Sequence, residues 1–147
     1  MTRINSGIPV RHLTDEHLLA EHREISRLPS YLIRSISSGS IRNIPPSFRL
    51  GKGHVLFFLD KGEYTLRRYK ELHNESIRRG FKLQYRPMDW IEFMTRHMMH
   101  DYTPTEDDTR LLTDRITSSI MESPKPYFHF YRKRITKQDA VKLLSRT

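Results

Sequence analysis

An all-α fold is what this sequence predicts, and three observations carry that prediction. Long stretches over 14–27, 63–79 and 105–120 open on helix-start residues and repeat apolar positions at helical spacing. Each is closed by a breaker, at Pro29, Gly80 and Pro124. The one continuous apolar run, His54-Val55-Leu56-Phe57-Phe58-Leu59, has no second strong strand to pair with, so it reads as helix or extended core segment. A chain of 147 residues is long enough for one core and short enough to stay a single domain.

Taken in order, residues 4–12 form an irregular lead, because Gly7 and Pro9 block regular structure. Thr14 caps a helix over 15–27, with Asp15 and Glu16 at its positive end. Leu18, Leu19, His22 and Ile25 form its apolar-leaning face. His17, Glu21 and Glu24 share another face, and Arg23 and Arg27 make a basic ridge beside it. Pro29 stops this helix, and Ser30 caps a short one over 31–38 that ends at Gly39. Residues 40–53 form a loop through Pro45-Pro46 to Gly51-Lys52-Gly53, which lacks the full pattern of a phosphate-binding P-loop. Glycine there permits close backbone approach, and His54 is either structural or faces DNA.

The clearest helix covers 63–79. Its core stripe is Leu66, Tyr69, His73 and Ile77, beside Leu72 and Ser76, and Arg67, Arg68, Lys70, Arg78 and Arg79 line its outer surface. Pro87 opens a helical stretch over 88–99 with Trp90, Ile91, Met94 and Met98 on one side. Thr105 followed by Glu106-Asp107-Asp108 starts a helix that carries Leu112, Ile116 and Ile120 inward. From Pro124 onward there are seven basic residues against one acid, Asp139. Thr136 with Asp139 caps a last short helix bearing Val141, Leu143 and Leu144.

A net charge of +9 points to a polyanionic partner, of which nucleic acid is the commonest. The rings of 127–131 interleave with Arg132, Lys133 and Arg134, a pattern in which aromatics stack on bases while cations neutralise phosphates. Tyr127, Phe128, Phe130, Tyr131 and Lys133 are therefore candidate DNA contacts, with two or three of residues 127–131 packing on the domain instead. His97, His100 and Asp101 lack a fourth metal ligand at a recognisable spacing. The chain has no cysteine, hence no disulfide framework and no Cys-based zinc site. No long apolar run exists, so a soluble, intracellular protein is expected. The start Met1-Thr2-Arg3 allows another chemistry. Thr2 is small enough for Met1 to be removed, leaving an α-amine beside Arg3 whose ordinary pKa of about 7.7–8.0 keeps a useful fraction neutral near pH 7. Glu24 supplies a carboxylate helper to that nucleophile.

At Met1-Thr2-Arg3-Ile4-Asn5 the sequence resembles the phage pyrimidine-dimer DNA glycosylases, the endonuclease V family. The match continues through His17-Leu18, Ala20-Glu21, Arg23-Glu24 and Arg27, then Gly51, Gly53-His54-Val55, Phe57-Phe58, Asp60-Lys61 and Arg79-Gly80-Phe81. It returns at Asp101-Tyr102, Pro104, Arg115, Ile120, Pro124 and the stretch from Tyr127 to Lys133. The resemblance implies a compact helical domain over 1–134, with 135–147 as a C-terminal extension holding a short helix. It implies a glycosylase with apurinic/apyrimidinic lyase activity, needing no metal and no cofactor, that cuts DNA at cyclobutane pyrimidine dimers through a Schiff base on the Thr2 α-amine. Glu24 matches the family's catalytic glutamate. Arg3, His17, Arg23 and Arg27 match positions that contact DNA or the lesion, and Arg115 one that contacts phosphate. The implied partner is lesion-containing double-stranded DNA, bound by a monomer with no membrane and no protein partner, in a phage or bacterial cytoplasm. Glu16 stands where the family has glutamine, Tyr127 where it has tryptophan and Ser119 where it has lysine. The same chemistry on another damaged or modified base, and a non-catalytic DNA-binding protein on the same scaffold, are the alternatives; a metal-dependent nuclease is a weaker third.

Overall fold

The computed structural model describes residues 4–145. Thr2 and Arg3 lie outside them. The described chain is mostly helical, with seven α-helices and one small antiparallel hairpin. Helix α1 spans Asp15–Ser26, α2 Leu28–Ser38, α3 His54–Phe57, α4 Gly62–Arg78, α5 Ile91–Thr95, α6 Glu106–Glu122 and α7 Lys137–Leu144. Strands β1 (Tyr127–Phe130) and β2 (Lys133–Thr136) lie between α6 and α7. Helix α1 packs along α4, α7 packs on α6, and β1 lies against both α1 and α7. One cluster joins Ile4, Leu18, Ile25, Phe58, Tyr69, Trp90, Leu112 and Phe128 into a common core.

Three of the expected N-caps, Thr14, Thr105 and Thr136, stand where the sequence places them. The Thr14 hydroxyl accepts from the His17 amide, and Thr105 and Asp108 form a reciprocal capping box at the start of α6. Thr136 accepts from the Asp139 amide and opens α7, whose Ala140 and Leu143 are buried. Gly39 ends α2 in the left-handed region at φ 84°. The apolar run 54–59 is α3 followed by a 3-10 turn over Phe58–Asp60.

Four expectations are corrected. Pro29 does not separate two helices: it is the second residue of α2, where its missing N–H costs nothing, and Ser30 caps nothing. The inward stripe of α4 is Tyr64, Thr65, Arg68, Tyr69, Leu72, Glu75 and Ser76, whereas Ile77 is 48% exposed. Arg68 and Arg79, expected on the outside, are buried because acidic partners on α1 and α4 meet them there. The stretch 88–99 opens as a 3-10 turn, Pro87–Trp90, before the short α5. That tighter winding turns Trp90 and Phe93 inward and leaves Met88, Ile91 and Met94 exposed. The hairpin was missed because its two-residue turn, Tyr131-Arg132, contains neither Gly nor Asn. Both turn residues have positive φ, 51° and 68°.

Candidate functional site

The lead 4–13 has almost no regular structure, so its backbone must find partners elsewhere. Buried side chains supply them. Arg68 donates to the Ile8 carbonyl at 2.7 Å while holding both Glu21 oxygens at 2.8 and 3.0 Å. Arg79 donates to the carbonyls of Leu13 and Val10, and also to Asp15 and Glu75. Burial disfavours the ionised Glu75, but hydrogen bonds from Arg79 and Tyr131 hold its carboxyl below the ordinary range. The Ile4 amide donates to His54 Nε2 at 3.1 Å. At Gly7, φ is 82° and a Cβ would overlap the Thr109 hydroxyl, so the lead passes α6 only with glycine there.

This anchored lead opens onto a cleft of about 350 Å³, lined by Asn5, Glu16, His17, Ala20 and Glu21 on one side. Arg115, Ile116, Ser119, Ser123, Lys125 and Phe128 line the other. His17 forms part of its wall: Nδ1 lies 2.7 Å from the Thr14 hydroxyl, and the ring stacks on Phe128 at 5.9 Å. Burial lowers the His17 pKa, with Lys125 adding to the effect and Glu16 and Glu21 opposing it, so the imidazole is neutral near pH 7. Arg115 and Lys125 are exposed and make this wall cationic. One helical turn beyond Ala20, Glu24 continues the same stripe of α1, half-buried. Arg23 and Arg27 flank it, both exposed, and none of the three joins an ion pair among the described residues.

The hairpin is clasped to the first turn of α1. Asp15 accepts from the Tyr131 amide at 3.1 Å and the Arg132 amide at 2.7 Å, the two residues of the strained turn. Glu16 accepts from the His129 amide at 3.0 Å, and its other oxygen lies 2.9 Å from His129 Nδ1. Glu16 therefore faces the hairpin rather than standing free.

The structure thus sorts the sequence candidates. His17, Arg115 and Phe128 line the cleft. Phe128 is 5% exposed and stacked on His17, so only an edge of it is available to a ligand. Phe130 and Tyr131 both lie against the Arg79 guanidinium, each ring centroid 4.8 Å from its carbon, and Tyr131 donates to Glu75. Tyr127 is half-buried under Arg134, and Lys133 is exposed. Thr2 and Arg3 fall outside the described residues. Sequence reasoning missed the frame: Arg68 and Arg79 read as outer-surface charges and Asp15 as a helix-start acid, and no local signal marks their burial. His97, His100 and Asp101 do not converge: His100 bonds the Asp60 carbonyl and Asp101 pairs with Arg67. Among the described residues no group of three or more His, Asp or Glu is arranged to hold a metal, and no helix is long and apolar enough to cross a membrane.

These features define a helical protein that presents a carboxylate and a cationic cleft where its N-terminal segment is tied down. The family model for pyrimidine dimer DNA glycosylase matches residues 1–89, and the chain belongs to that family. It is accordingly a DNA repair enzyme of the glycosylase type, with DNA as its substrate.

Proposed function

We propose that this glycosylase is also an apurinic/apyrimidinic lyase, and that the α-amine of Thr2, freed by loss of Met1, is its nucleophile. The observation that carries the reading is that Asn5 lines the same cleft as His17 and Ala20. Three residues of chain reach roughly 10 Å from Asn5. Glu24 is one turn, about 5.4 Å, beyond Ala20. That reach supports a reading in which the amine and the Glu24 carboxylate act on one sugar.

In the proposed sequence the Thr2 amine attacks C1′ of the damaged nucleotide as the glycosidic bond breaks, and the base leaves with the bonding pair. Glu24 stabilises positive charge developing on the sugar. Loss of the amine proton and opening of the ring give an imine between Thr2 and C1′. Glu24 then assists removal of a C2′ proton, and the 3′ phosphate departs by β-elimination. Arg3, Arg23, Arg27, Arg115, Lys133 and Lys125 neutralise phosphates on the DNA that crosses the cleft. Neutral His17 offers a hydrogen bond at the cleft wall, and the ring of Tyr127 offers a stacking surface. The substrate is duplex DNA carrying a cyclobutane pyrimidine dimer, taken by a monomer.

Borohydride trapping tests this. Protein confirmed to start at Thr2 is mixed with duplex carrying an abasic site or a thymine dimer, reduced, and run on a denaturing gel. A covalent adduct with both is expected. An adduct with the abasic duplex alone would move the substrate to another lesion. No adduct with either would leave a glycosylase without the imine step.

A further inference from the structure

We infer that His54 is a positioning residue for the reaction, holding the fixed point from which the N-terminal nucleophile departs; the inference rests on the reading of Thr2 as that nucleophile. His54 is 2% exposed and is the first residue of α3. Its Nδ1 lies 2.9 Å from the Arg49 carbonyl oxygen, which can only accept, so Nδ1 carries the proton. Nε2 of a neutral ring is then an acceptor, and it takes the Ile4 amide proton at 3.1 Å. The tautomer that binds Arg49 is thus the one that can bind Ile4. The ring is also boxed in, edge-on to Phe48 at 5.5 Å and to Phe58 at 5.3 Å.

The local chain is shaped for this contact. Gly53 has φ 89°, and a Cβ there would come within 3.1 Å of Arg49 Cδ and 3.3 Å of Pro45 Cγ. Glycine lets the loop fold back so that the Arg49 carbonyl meets the His54 ring. Ile4 itself is fully buried, and Asn5 after it lines the cleft. Between this anchor and the proposed amine there are only two residues, Arg3 and Thr2. Misplacement of a reacting atom by about one ångström costs rates of the order of 100-fold. His54 acts through the Ile4 backbone.

The test compares the native protein with His54→Leu and His54→Gln, each confirmed to begin at Thr2. Leucine keeps the bulk and loses the acceptor. Glutamine places its carbonyl oxygen near the position of Nε2 and restores it. Three quantities are read: single-turnover borohydride trapping on an abasic duplex, Kd for that duplex, and hydrogen exchange of the Ile4 amide. The expected result is a trapping rate lowered about 10- to 100-fold in His54→Leu, with Kd within about twofold and faster Ile4 exchange, and recovery of most of the rate and protection in His54→Gln. Native trapping rates in His54→Leu would overturn the inference while leaving the amine reading intact. Equal loss of rate and of DNA affinity in both variants would also overturn it, marking His54 as a fold residue only. Absence of any adduct with the native protein would overturn the amine reading, and this inference with it.

Discussion

The two arginines turned inward on and just after α4 and the two turned outward on and just after α1 carry the same charge and do opposite things. Arg68 and Arg79 are buried, each bonded to a carboxylate and to backbone carbonyls of the lead 4–13. Arg23 and Arg27 are exposed and free of ion pairs among the described residues, on either side of Glu24. Desolvated guanidinium groups, each fully matched in geometry, fix a segment that has no helix or sheet to hold it. Solvated ones keep their charge available for phosphate. The molecule spends two ion-pair networks on fixing the lead from Ile8 to Leu13, then leaves the neighbouring face of α1 without ion pairs among the described residues.

The sharpest way to test this division is at Glu24. Glu24→Gln removes the carboxylate without removing a structural bond, so strand cleavage should fall by about 10²–10⁴-fold while DNA affinity stays within a few-fold. Measured kcat and Kd side by side check it; loss of both together would place Glu24 in binding rather than chemistry. Next in size is Arg68→Met, which strands Glu21 inside the core. It should cost about 3–5 kcal/mol in urea unfolding. The contrasting change, Arg23→Ala, should leave stability within about 0.5 kcal/mol and lower the salt dependence of DNA binding by about one ion. An Arg23→Ala protein as unstable as Arg68→Met would erase the distinction.

A pH experiment adds a third arm. His22 is buried against Tyr69 and His73, with its Nε2 3.1 Å from His73 Nδ1. Burial, and then the charge of His73, lower its pKa from 6.5 to about 4. The unfolded chain therefore takes up a proton between pH 6.5 and 4 that the folded chain refuses. Stability should fall as pH falls through that window and gain no further loss from this group below it. Thermal melts of the native protein and of His22→Phe check this, the variant showing a flatter curve from pH 6.5 to 4. The smallest expected effect is at the hairpin turn. Arg132→Gly relieves a non-glycine residue at φ 68° while keeping the backbone amide that Asp15 accepts from, and should stabilise by about 1 kcal/mol in thermal or urea unfolding.

The parts of this arrangement that were legible in the sequence are those set by local chemistry. Thr14, Thr105 and Thr136 were readable as caps because a cap is decided by residues within three positions. The stripe Leu112-Ile116-Ile120 was readable because periodicity survives folding when nothing polar competes for the inward face. The inward face of α4 was not, because Arg68 and Glu75 count as polar in any pattern and as core only once Glu21 and Arg79 are opposite them. The hairpin was illegible for a similar reason. Its turn is held by Asp15, 116 residues away in sequence, and not by turn residues of its own. The stripe His17, Glu21, Glu24 was visible as one face, but that Glu21 pairs with Arg68 while Glu24 joins no ion pair among the described residues required the partner helix.

The nucleophile is identified by where the covalent bond forms. The direct measurement is to reduce the complex with abasic duplex, digest the protein and locate the sugar remnant by tandem mass spectrometry. The remnant is expected on the α-nitrogen of the peptide beginning Thr2-Arg3. A remnant on a lysine side chain, such as Lys125 at the cleft, would contradict the account and make the anchored lead a structural feature alone.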